Sequence, residues 1–231
     1  MITVALSKGK LLGPTIDLFK RAGFVNDDLS AESRRLVFPC PKVETTLLIV
    51  RPSDVPTYVE YGAADVGVVG KDMLLEQDRD VYEPLDLKFG ACRISVAAPR
   101  GQELSDRLSS KIRVATKYPN ITERYFNAKG IPVEIIKLYG SIELAPLVGL
   151  ADRIVDLVSS GRTLKAHKLV EVEVIAESTA RLIVNRASLK MKYSRITDLI
   201  ARLKAERLRK ASPVSKGKPD GGADRQWKER P

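Results

Sequence analysis

The chain of 231 residues is poor in the side chains that cross-link small domains or bind zinc. It contains two cysteines, Cys40 and Cys92, and one histidine, His167. Two distant cysteines do not make a disulfide framework, and with a single histidine they do not make a zinc cluster. We therefore expect free thiols, as in proteins of the reducing cytoplasm, and no zinc site.

Long hydrophobic runs and the common nucleotide-binding motifs are also missing. No apolar stretch approaches the length that spans a bilayer, and the N-terminal MITVALSKGK is unlike a secretory signal. These two absences predict a cytoplasmic protein with no membrane partner. No G-x-G-x-x-G fingerprint and no P-loop ending in G-K-[ST] occurs, so neither of those phosphate-binding folds is indicated.

The charge of the chain is strongly positive but unevenly distributed. Of the net charge of +10, residues 202–231 carry +6, from ten basic and four acidic side chains, which leaves +4 for the rest. A body with a charge of +4 does not indicate nucleic acid, but it suits a cleft that receives polyanions. Residues 211–231 are rich in proline, glycine and charge, which predicts a disordered basic tail; a role in binding RNA or a partner stays open for it.

Apolar runs of strand length alternate with segments of helical periodicity, beginning with residues 2–6. This rhythm predicts an α/β fold with mainly parallel sheets and helices on their faces. The rhythm restarts near residue 89 and returns near residue 177, so a second lobe is inserted into the first. We predict a discontinuous first domain of residues 1–89 and 178–210, a second domain of residues 90–177, and a cleft between them that binds ligand.

Three local signals define predicted helices more closely. The segment from Val55 to Tyr61 reads as a helix ended by Gly62, and Pro119 is placed to be the first residue of a helix. Ser194 can cap the last helix, whose apolar residues recur on one face. Residues 28–45 have no clear periodicity.

The most informative stretch is an apolar run that leads into a turn of small polar residues. Residues 154–158 predict a buried strand interrupted by Asp156, and the turn Ser159-Ser160-Gly161-Arg162-Thr163 follows. Such a turn presents backbone N–H groups and hydroxyls at a helix start, and this favours a phosphate. Asp156 would repel a phosphate so close to it, and suits a ribose hydroxyl or a metal-bound water. Ligand-free proteins also contain Ser-Gly turns, so the turn alone leaves the question open.

A second candidate site follows the first predicted strand. Lys8-Gly9-Lys10 occupies the turn between that strand and a helix. In open α/β sheets, ligands bind at this end of the strands, although two lysines on a loop can also be solvated surface charges.

The longer pattern around the turn resembles a known family. The segment ELAPLVGLADRIVDLVSSGRTL, residues 143–164, matches the signature of the ATP phosphoribosyltransferases at ten positions within 22 residues. The segments ALSKGK, RPSDVPTYVEYGAADVGVVGKD, ATKYPN and KLYGSIELAP are similar to the same family. Together the resemblance covers roughly residues 2–205.

The resemblance implies a fold, a reaction and partners. The fold is the two-lobe type of the periplasmic binding proteins (type II), with a cleft between the lobes. In the reaction, adenine N1 of ATP attacks 5-phosphoribosyl 1-diphosphate and pyrophosphate leaves, with Mg2+ carried by the substrates; this is the first step of histidine biosynthesis. The chain resembles the short form of the family, which implies a homodimer of catalytic chains and a regulatory subunit related to histidyl-tRNA synthetase.

The resemblance also implies roles for individual residues. The 5-phosphate would be held by the turn, which comprises Ser159, Ser160, Gly161, Arg162 and Thr163. Asp156 would hold the ribose hydroxyls, and Glu143 would line the same pocket. The diphosphate and ATP would be bound by Lys8, Gly9, Lys10, Arg34 and Arg51, and the catalytic residues would be Lys10, Arg34 and Asp156. The family usually has arginine where this chain has Lys10, which keeps the charge but loses the forked geometry.

Three other functions share some of these features. A solute-binding protein would have the same two-lobe fold but predicts a secretory signal. Other phosphoribosyltransferases typically place two adjacent acids before the phosphate loop, whereas Asp156 stands alone. A nucleic-acid-binding protein would depend on the basic tail, so that removing residues 211–231 would abolish its function.

Overall fold

The structure, a computed structural model, describes residues 1–25, 35–101 and 111–211. Its strands are β1 (Ile2–Ser7), β2 (Val37–Cys40), β3 (Thr45–Val50), β4 (Val66–Gly70), β5 (Tyr82–Asp86), β6 (Cys92–Pro99), β7 (Ile112–Thr116), β8 (Val133–Lys137), β9 (Arg153–Val158), β10 (Leu169–Ser178) and β11 (Ala180–Val184). Its helices are α1 (Leu12–Arg21), α2 (Val55–Glu60), α3 (Lys71–Gln77), α4 (Pro119–Ala128), α5 (Leu144–Leu147), α6 (Arg162–Ala166), α7 (Arg186–Met191) and α8 (Tyr193–Ala211). No helix in these ranges is long and apolar enough to cross a membrane.

The strands form two mixed sheets. The first has the order β2-β3-β1-β4-β11-β5 and the second the order β10-β6-β9-β7-β8. The parallel pairs are β3-β1-β4 in the middle of the first sheet and β9-β7-β8 at one end of the second. Antiparallel strands adjoin them: β11 lies beside β4 in the first sheet, and β6 lies beside β9 in the second. The predicted α/β architecture is therefore confirmed, but the sheets are mixed rather than mainly parallel, because five of the nine strand pairs in the described residues are antiparallel.

Several predicted elements agree with the structure, and one cap does not. Pro119 begins α4, and α2 covers most of the predicted segment from Val55. The prediction that Ser194 caps the last helix is wrong: α8 already begins at Tyr193, so Ser194 lies inside its first turn. The cap nearby belongs to α7, where the side chain of Asn185 accepts a hydrogen bond from the Ser188 N–H at 2.8 Å.

Two regions without clear sequence periodicity contain short elements. Within residues 28–45 the structure places β2 and a 3-10 turn, Pro41–Val43, and residues 26–34 lie outside the described residues. β2 is a short edge strand with a proline and alternating exposure, so its apolar signal is weak. Of the predicted tail, Ala211 is the last residue of α8, and residues 212–231 are outside the described part of the chain.

The two sheets share an apolar core. One cluster of buried side chains includes Val69 and Met73 from the first sheet and its helix α3, and Val96, Ile121 and Val155 from the second sheet and α4. Each of these side chains is at most 5 % exposed. The lobes therefore meet through a packed interior.

Two acids of α3 extend this junction with polar contacts to the start of α4. The Glu76 carboxylate accepts hydrogen bonds from the N–H groups of Asn120 and Ile121, both at 3.0 Å. These are N–H groups of the first helical turn, which have no partner within the helix. The Tyr118 hydroxyl donates to the Asp72 carboxylate at 3.2 Å. An acid from one lobe therefore caps a helix of the other.

We expect Glu76→Ala to lower the free energy of unfolding by about 3 kcal/mol, because two N–H groups at a helix start, one of them buried, lose a charged acceptor. Urea titration followed by circular dichroism measures the change. Glu123→Ala is the control. Glu123 lies exposed on α4, the helix whose start Glu76 caps, and its replacement should change stability by less than about 0.5 kcal/mol. Equal stability of the two variants would contradict the role given to Glu76.

Candidate active site

The first cationic turn lies at the carboxyl ends of neighbouring parallel strands. Ser7 of β1 is in register with Val50 of β3, so Lys8 and Arg51 follow at the same edge of the sheet. The Lys8 N–H donates to the Val50 carbonyl at 2.8 Å. Gly9 has a φ of 103°, which lets the chain turn sharply into α1. The predicted strand-turn-helix arrangement is present here.

The second turn joins β9 to the short helix α6. Gly161 has a φ of 71°, in the left-handed region, and its carbonyl accepts from the Lys165 N–H at 3.0 Å. The N–H groups of Arg162 and Thr163 belong to the first turn of α6 and so have no partner within that helix. The Arg162 side chain donates to the Ser160 hydroxyl at 3.3 Å. The turn thus presents the donors expected from the sequence.

The two turns meet at one small pocket. Lys10 reaches it from the first lobe, and the other lining residues come from the second lobe. The cavity has a volume of about 100 Å3. It is lined by Lys10, Glu143, Asp156, Leu157, Val158, Ser159, Ser160, Gly161, Thr163 and Leu164.

Asp156 is the half-buried acid of this pocket. Its carboxylate accepts a hydrogen bond from the Leu157 N–H at 2.8 Å. Burial raises the pKa of Asp156 to about 6; the hydrogen bond from Leu157 opposes this rise, the negative charge of Glu143 adds to it, and the positive charge of Lys117 opposes it. A carboxylate that is costly to ionise and lies beside a second acid is suited to meet a cation or hydroxyl donors.

Lys117 was not identified from the sequence as a site residue. β7 ends at Thr116, which is in register with Val155 of the parallel strand β9, so Lys117 follows opposite Asp156. Its side chain is exposed. A signal was available, because Lys117 lies in the ATKYPN segment directly after a predicted strand, as Lys8 does after β1. The sequence pattern did not predict that this strand, β7, pairs with β9.

The remaining candidates lie around the pocket or outside the described residues. Arg34 is outside the described residues. Lys8, Gly9, Arg51 and Arg162 are near the two turns, but they are not among the residues that line the cavity. Their substrate contacts stay predictions.

The two cysteines and the histidine have no metal-binding arrangement. Within residues 1–25, 35–101 and 111–211, no three His, Cys, Asp or Glu side chains are grouped to hold a metal ion. Cys92 is half-buried; burial raises the pKa of its thiol and nearby Asp72 adds to the rise, whereas nearby Lys10 opposes it. His167 ends α6 and is partly buried. The thiol beside Lys10 is therefore held in its neutral form.

Comparison with known proteins identifies close relatives. The family model described as ATP phosphoribosyltransferase matches residues 51–205. ATP phosphoribosyltransferase 2 of Geobacter sulfurreducens is 61% identical over 201 residues, which cover 86% of this chain and 95% of the relative. ATP phosphoribosyltransferase of Acidithiobacillus ferrooxidans is 55% identical over 208 residues, which cover 89% of this chain and 97% of the relative.

Solved structures give the same picture of the fold. The ATP phosphoribosyl transferase (HisG:HisZ) complex from Thermotoga maritima contains a chain with a TM-score of 0.80 and 32% identity, matched over 90% of this chain and 100% of that one. The periplasmic aliphatic sulphonate binding protein SsuA of Escherichia coli has a TM-score of 0.57 at 11% identity, matched over 91% of this chain and 74% of that one. The latter likeness concerns the fold alone.

Proposed function

The chain belongs to the ATP phosphoribosyltransferase family. From this premise we propose a role in the reaction for each of its cleft residues. The reaction joins adenine N1 of ATP to the anomeric carbon of 5-phosphoribosyl 1-diphosphate and releases pyrophosphate, as the first step of histidine biosynthesis. The observation that carries the assignment of roles is that one pocket joins the small-residue turn of the second lobe to Lys10 of the first.

The 5-phosphate is held by the turn that precedes α6. Ser159, Ser160 and Thr163 supply hydroxyl donors at the pocket wall, and Gly161 lets the backbone approach the ligand closely. The N–H groups at the start of α6 add backbone donors, and Arg162 adds a positive charge at the rim. Substrate binding thus depends on the backbone conformation of this turn as well as on its side chains.

The ribose is held by the two acids. Asp156 accepts hydrogen bonds from the ribose hydroxyls. Burial is the main cause of its raised pKa, and the negative charge of nearby Glu143 raises that pKa further. Mg2+ arrives bound to the diphosphate, and the two carboxylates fit it because this ion favours oxygen ligands from one or two acids together with substrate phosphates. When bound, the ion neutralises negative charge on the diphosphate.

The departing pyrophosphate is stabilised by cations from the edge of the first sheet. Lys8, Gly9, Lys10, Arg34 and Arg51 form the proposed diphosphate and ATP site, and Lys10 lines the same pocket as the two acids. Adenine N1 carries no proton to remove, so the site needs charge stabilisation on the leaving group more than a general base. Lys10, Arg34 and Asp156 are therefore the proposed catalytic residues.

We expect Lys117→Met to move the acid limb of the activity profile to higher pH. Lys117 lowers the pKa of Asp156, so removing its charge raises that pKa above about 6, and activity that needs the carboxylate is lost earlier as pH falls. The measurement is the pH dependence of kcat/KM between pH 5 and 9.

The control for this variant is Lys111→Met. Lys111 is exposed and precedes β7, whereas Lys117 follows the other end of the same strand. This change also removes one lysine charge, but at the end of β7 away from Asp156, so the pH dependence of kcat/KM should be that of the unmodified chain. If the two variants show the same pH dependence of kcat/KM, Lys117 does not influence Asp156 and is not part of the site.

The proposal extends to assembly, location and domain structure. The chain acts as the short form, a homodimer that assembles with a regulatory subunit related to histidyl-tRNA synthetase; the support is that the solved relative from Thermotoga maritima is a complex of two kinds of subunit, HisG and HisZ. Its substrates are cytoplasmic metabolites, so we place it in the cytoplasm. The proposed domain boundaries are 89/90 and 177/178; β6, the first strand of the second sheet, begins at Cys92, and β10, its last strand, ends at Ser178, one residue beyond the second boundary.

The activity is tested by mixing the purified chain with ATP, 5-phosphoribosyl 1-diphosphate and Mg2+, with pyrophosphatase present to draw the reaction forward. The absorbance change of the N1 adduct is the expected result, and histidine alone should not inhibit the isolated chain. If no adduct forms, the assay is repeated with the regulatory subunit. No adduct under either condition would overturn the function.

A further inference from the structure

A charged pair of the second sheet lies beside residues 159–163, which we call the phosphate turn. Arg93 belongs to β6, and Glu171 belongs to the neighbouring edge strand β10. Two nitrogens of the Arg93 guanidinium, Nε and Nη2, donate to the two carboxylate oxygens of Glu171, each at 2.5 Å. Two parallel bonds of this kind fix the plane of the guanidinium as well as its position.

The remaining nitrogen of the guanidinium reaches the phosphate turn itself. Nη1 of Arg93 donates to the Ser159 carbonyl at 3.3 Å, and Ser159 is the first residue after β9. Glu171 is held in turn by the hydroxyl of Ser95, which is fully buried and donates to the carboxylate at 2.7 Å. A chain of contacts thus runs from the interior of the sheet through Glu171 and Arg93 to the phosphate turn.

The strand register explains why Arg93 meets the phosphate turn at its first residue. Arg93 is in register with Val158 of the antiparallel strand β9, and Ser95 is in register with Asp156. Residues directly opposite one another in an antiparallel pair lie on the same face of the sheet. Arg93 therefore shares the face of Asp156 and lies beside the end of β9, where the phosphate turn begins.

The hydrogen bond to Ser159 determines the direction of a donor in the pocket wall. A trans peptide is planar, so its C=O and N–H groups point in opposite directions. Because Arg93 holds the Ser159 carbonyl, the Ser160 N–H points away from Arg93. Ser160 lines the pocket and Arg93 does not, and within the described residues the Ser160 N–H has no acceptor in the protein. This N–H is therefore available to a ligand.

The pair of Arg93 and Glu171 is a weak source of stability by comparison. The Arg93 side chain is 34% exposed and that of Glu171 is 24% exposed, and ion pairs at such exposure stabilise a fold only slightly. The hydrogen bond from Arg93 lowers the pKa of Glu171, so the pair stays charged at neutral pH. The main effect of the pair should therefore be on the phosphate turn.

We propose that Arg93 is a positioning residue for 5-phosphoribosyl 1-diphosphate, which fixes the Ser159 carbonyl so that the Ser160 N–H meets the 5-phosphate. The inference rests on the proposed function, which assigns the phosphate turn to that group. Without Arg93 the peptide can rotate, and a rotated carbonyl would turn its partial negative charge towards the phosphate. No bond of the 5-phosphate changes in the reaction, so loss of this contact raises KM and leaves kcat nearly unchanged.

The test measures kcat and the KM of each substrate for the full chain, with the regulatory subunit added if activity requires it. Arg93→Met is expected to raise KM for 5-phosphoribosyl 1-diphosphate at least tenfold, with kcat and KM for ATP within twofold. Arg93→Lys keeps the charge but replaces the fork with a single nitrogen, so it is expected to raise the same KM at least fivefold.

Lys129→Met is the matched control for these variants. Lys129 pairs with Glu173, also on β10, at an exposure of 38%, which is close to that of Arg93. Its replacement removes one cation and one ion pair of the same strand, and it should leave both KM values unchanged. All three variants should melt within a few degrees of the unmodified chain.

Glu171→Gln tests whether Glu171 acts through Arg93. Alone, this change should raise KM for 5-phosphoribosyl 1-diphosphate by a smaller factor than Arg93→Met does. Combined with Arg93→Met, it should add nothing, because the guanidinium that it orients is gone. A further rise in the double variant would contradict the chain of contacts.

The outcomes separate the positioning role from the proposed function. An unchanged KM in Arg93→Met overturns the positioning role, while adduct formation by the unmodified chain leaves the function standing. A normal KM in Arg93→Lys also overturns it, since charge without the fork would then suffice. If the unmodified chain forms no adduct, alone or with the regulatory subunit, the proposed function fails and this inference fails with it.

Discussion

Gly161→Val is expected to weaken binding of 5-phosphoribosyl 1-diphosphate at least a hundredfold while the chain stays folded. Gly161 has a φ of 71°, which a β-branched residue adopts only with strain, so the turn would rearrange and redirect its N–H groups. A Cβ at this position would meet no heavy atom of the protein within 4 Å. Because Gly161 lines the pocket, the added side chain would compete with the ligand for space.

A second glycine provides the control for this experiment. Gly130 has a φ of 67° after α4, and a Cβ there also meets nothing within 4 Å. Gly130→Val should therefore impose a similar strain, roughly 1–2 kcal/mol, without affecting substrate. Fluorescence-monitored urea titration and calorimetric titration with the substrate measure both effects. Equal substrate affinity in the two variants would exclude the turn as the phosphate site.

Asp156→Asn is expected to inactivate the enzyme and to stabilise it at the same time. We expect a fall in kcat/KM of at least a hundredfold, the scale seen when one electrostatic contact to a reacting group is removed. The pKa of Asp156 is raised from 3.8 to about 6, so the folded protein holds its charged form at a cost of roughly 3 kcal/mol. The neutral amide removes that cost and can still accept the hydrogen bond from Leu157.

The sign of this effect depends on pH. Between about pH 4 and 6, folded Asp156 retains a proton that the unfolded chain has lost, so the contribution of this group to stability falls as pH rises. The variant should therefore match the unmodified chain near pH 4 and exceed it above pH 7. Urea titrations at pH 4 and pH 8 measure the difference. A variant less stable than the unmodified chain at pH 8 would contradict the burial cost.

Local sequence patterns predicted the two turns of the site because each turn is built by neighbouring residues. The apolar run, the small residues after it and Gly161 define a strand, a turn and a helix start within ten positions, and the structure has all three. The turn at Lys8 and Gly9 follows from the same logic. The family resemblance supplied the reaction, which the turns alone did not.

Contacts between distant segments were not predictable in this way. Lys117 lies opposite Asp156 only because β7 pairs with β9 in one register, and periodicity does not reveal which strands pair. The cap that Glu76 places on α4 depends equally on how the lobes meet. The helix α7 was missed because six residues are too few to show a helical period.

The core shared by the two lobes has a thermodynamic consequence. Side chains of both sheets bury one another, so neither lobe can lose its structure without exposing apolar surface of the other. We therefore expect a single heat-absorption peak in calorimetry, with the calorimetric and van't Hoff enthalpies in agreement. Substrate bound at the second lobe would then protect the whole described fold against heat and proteases, by an amount set by its concentration relative to Kd.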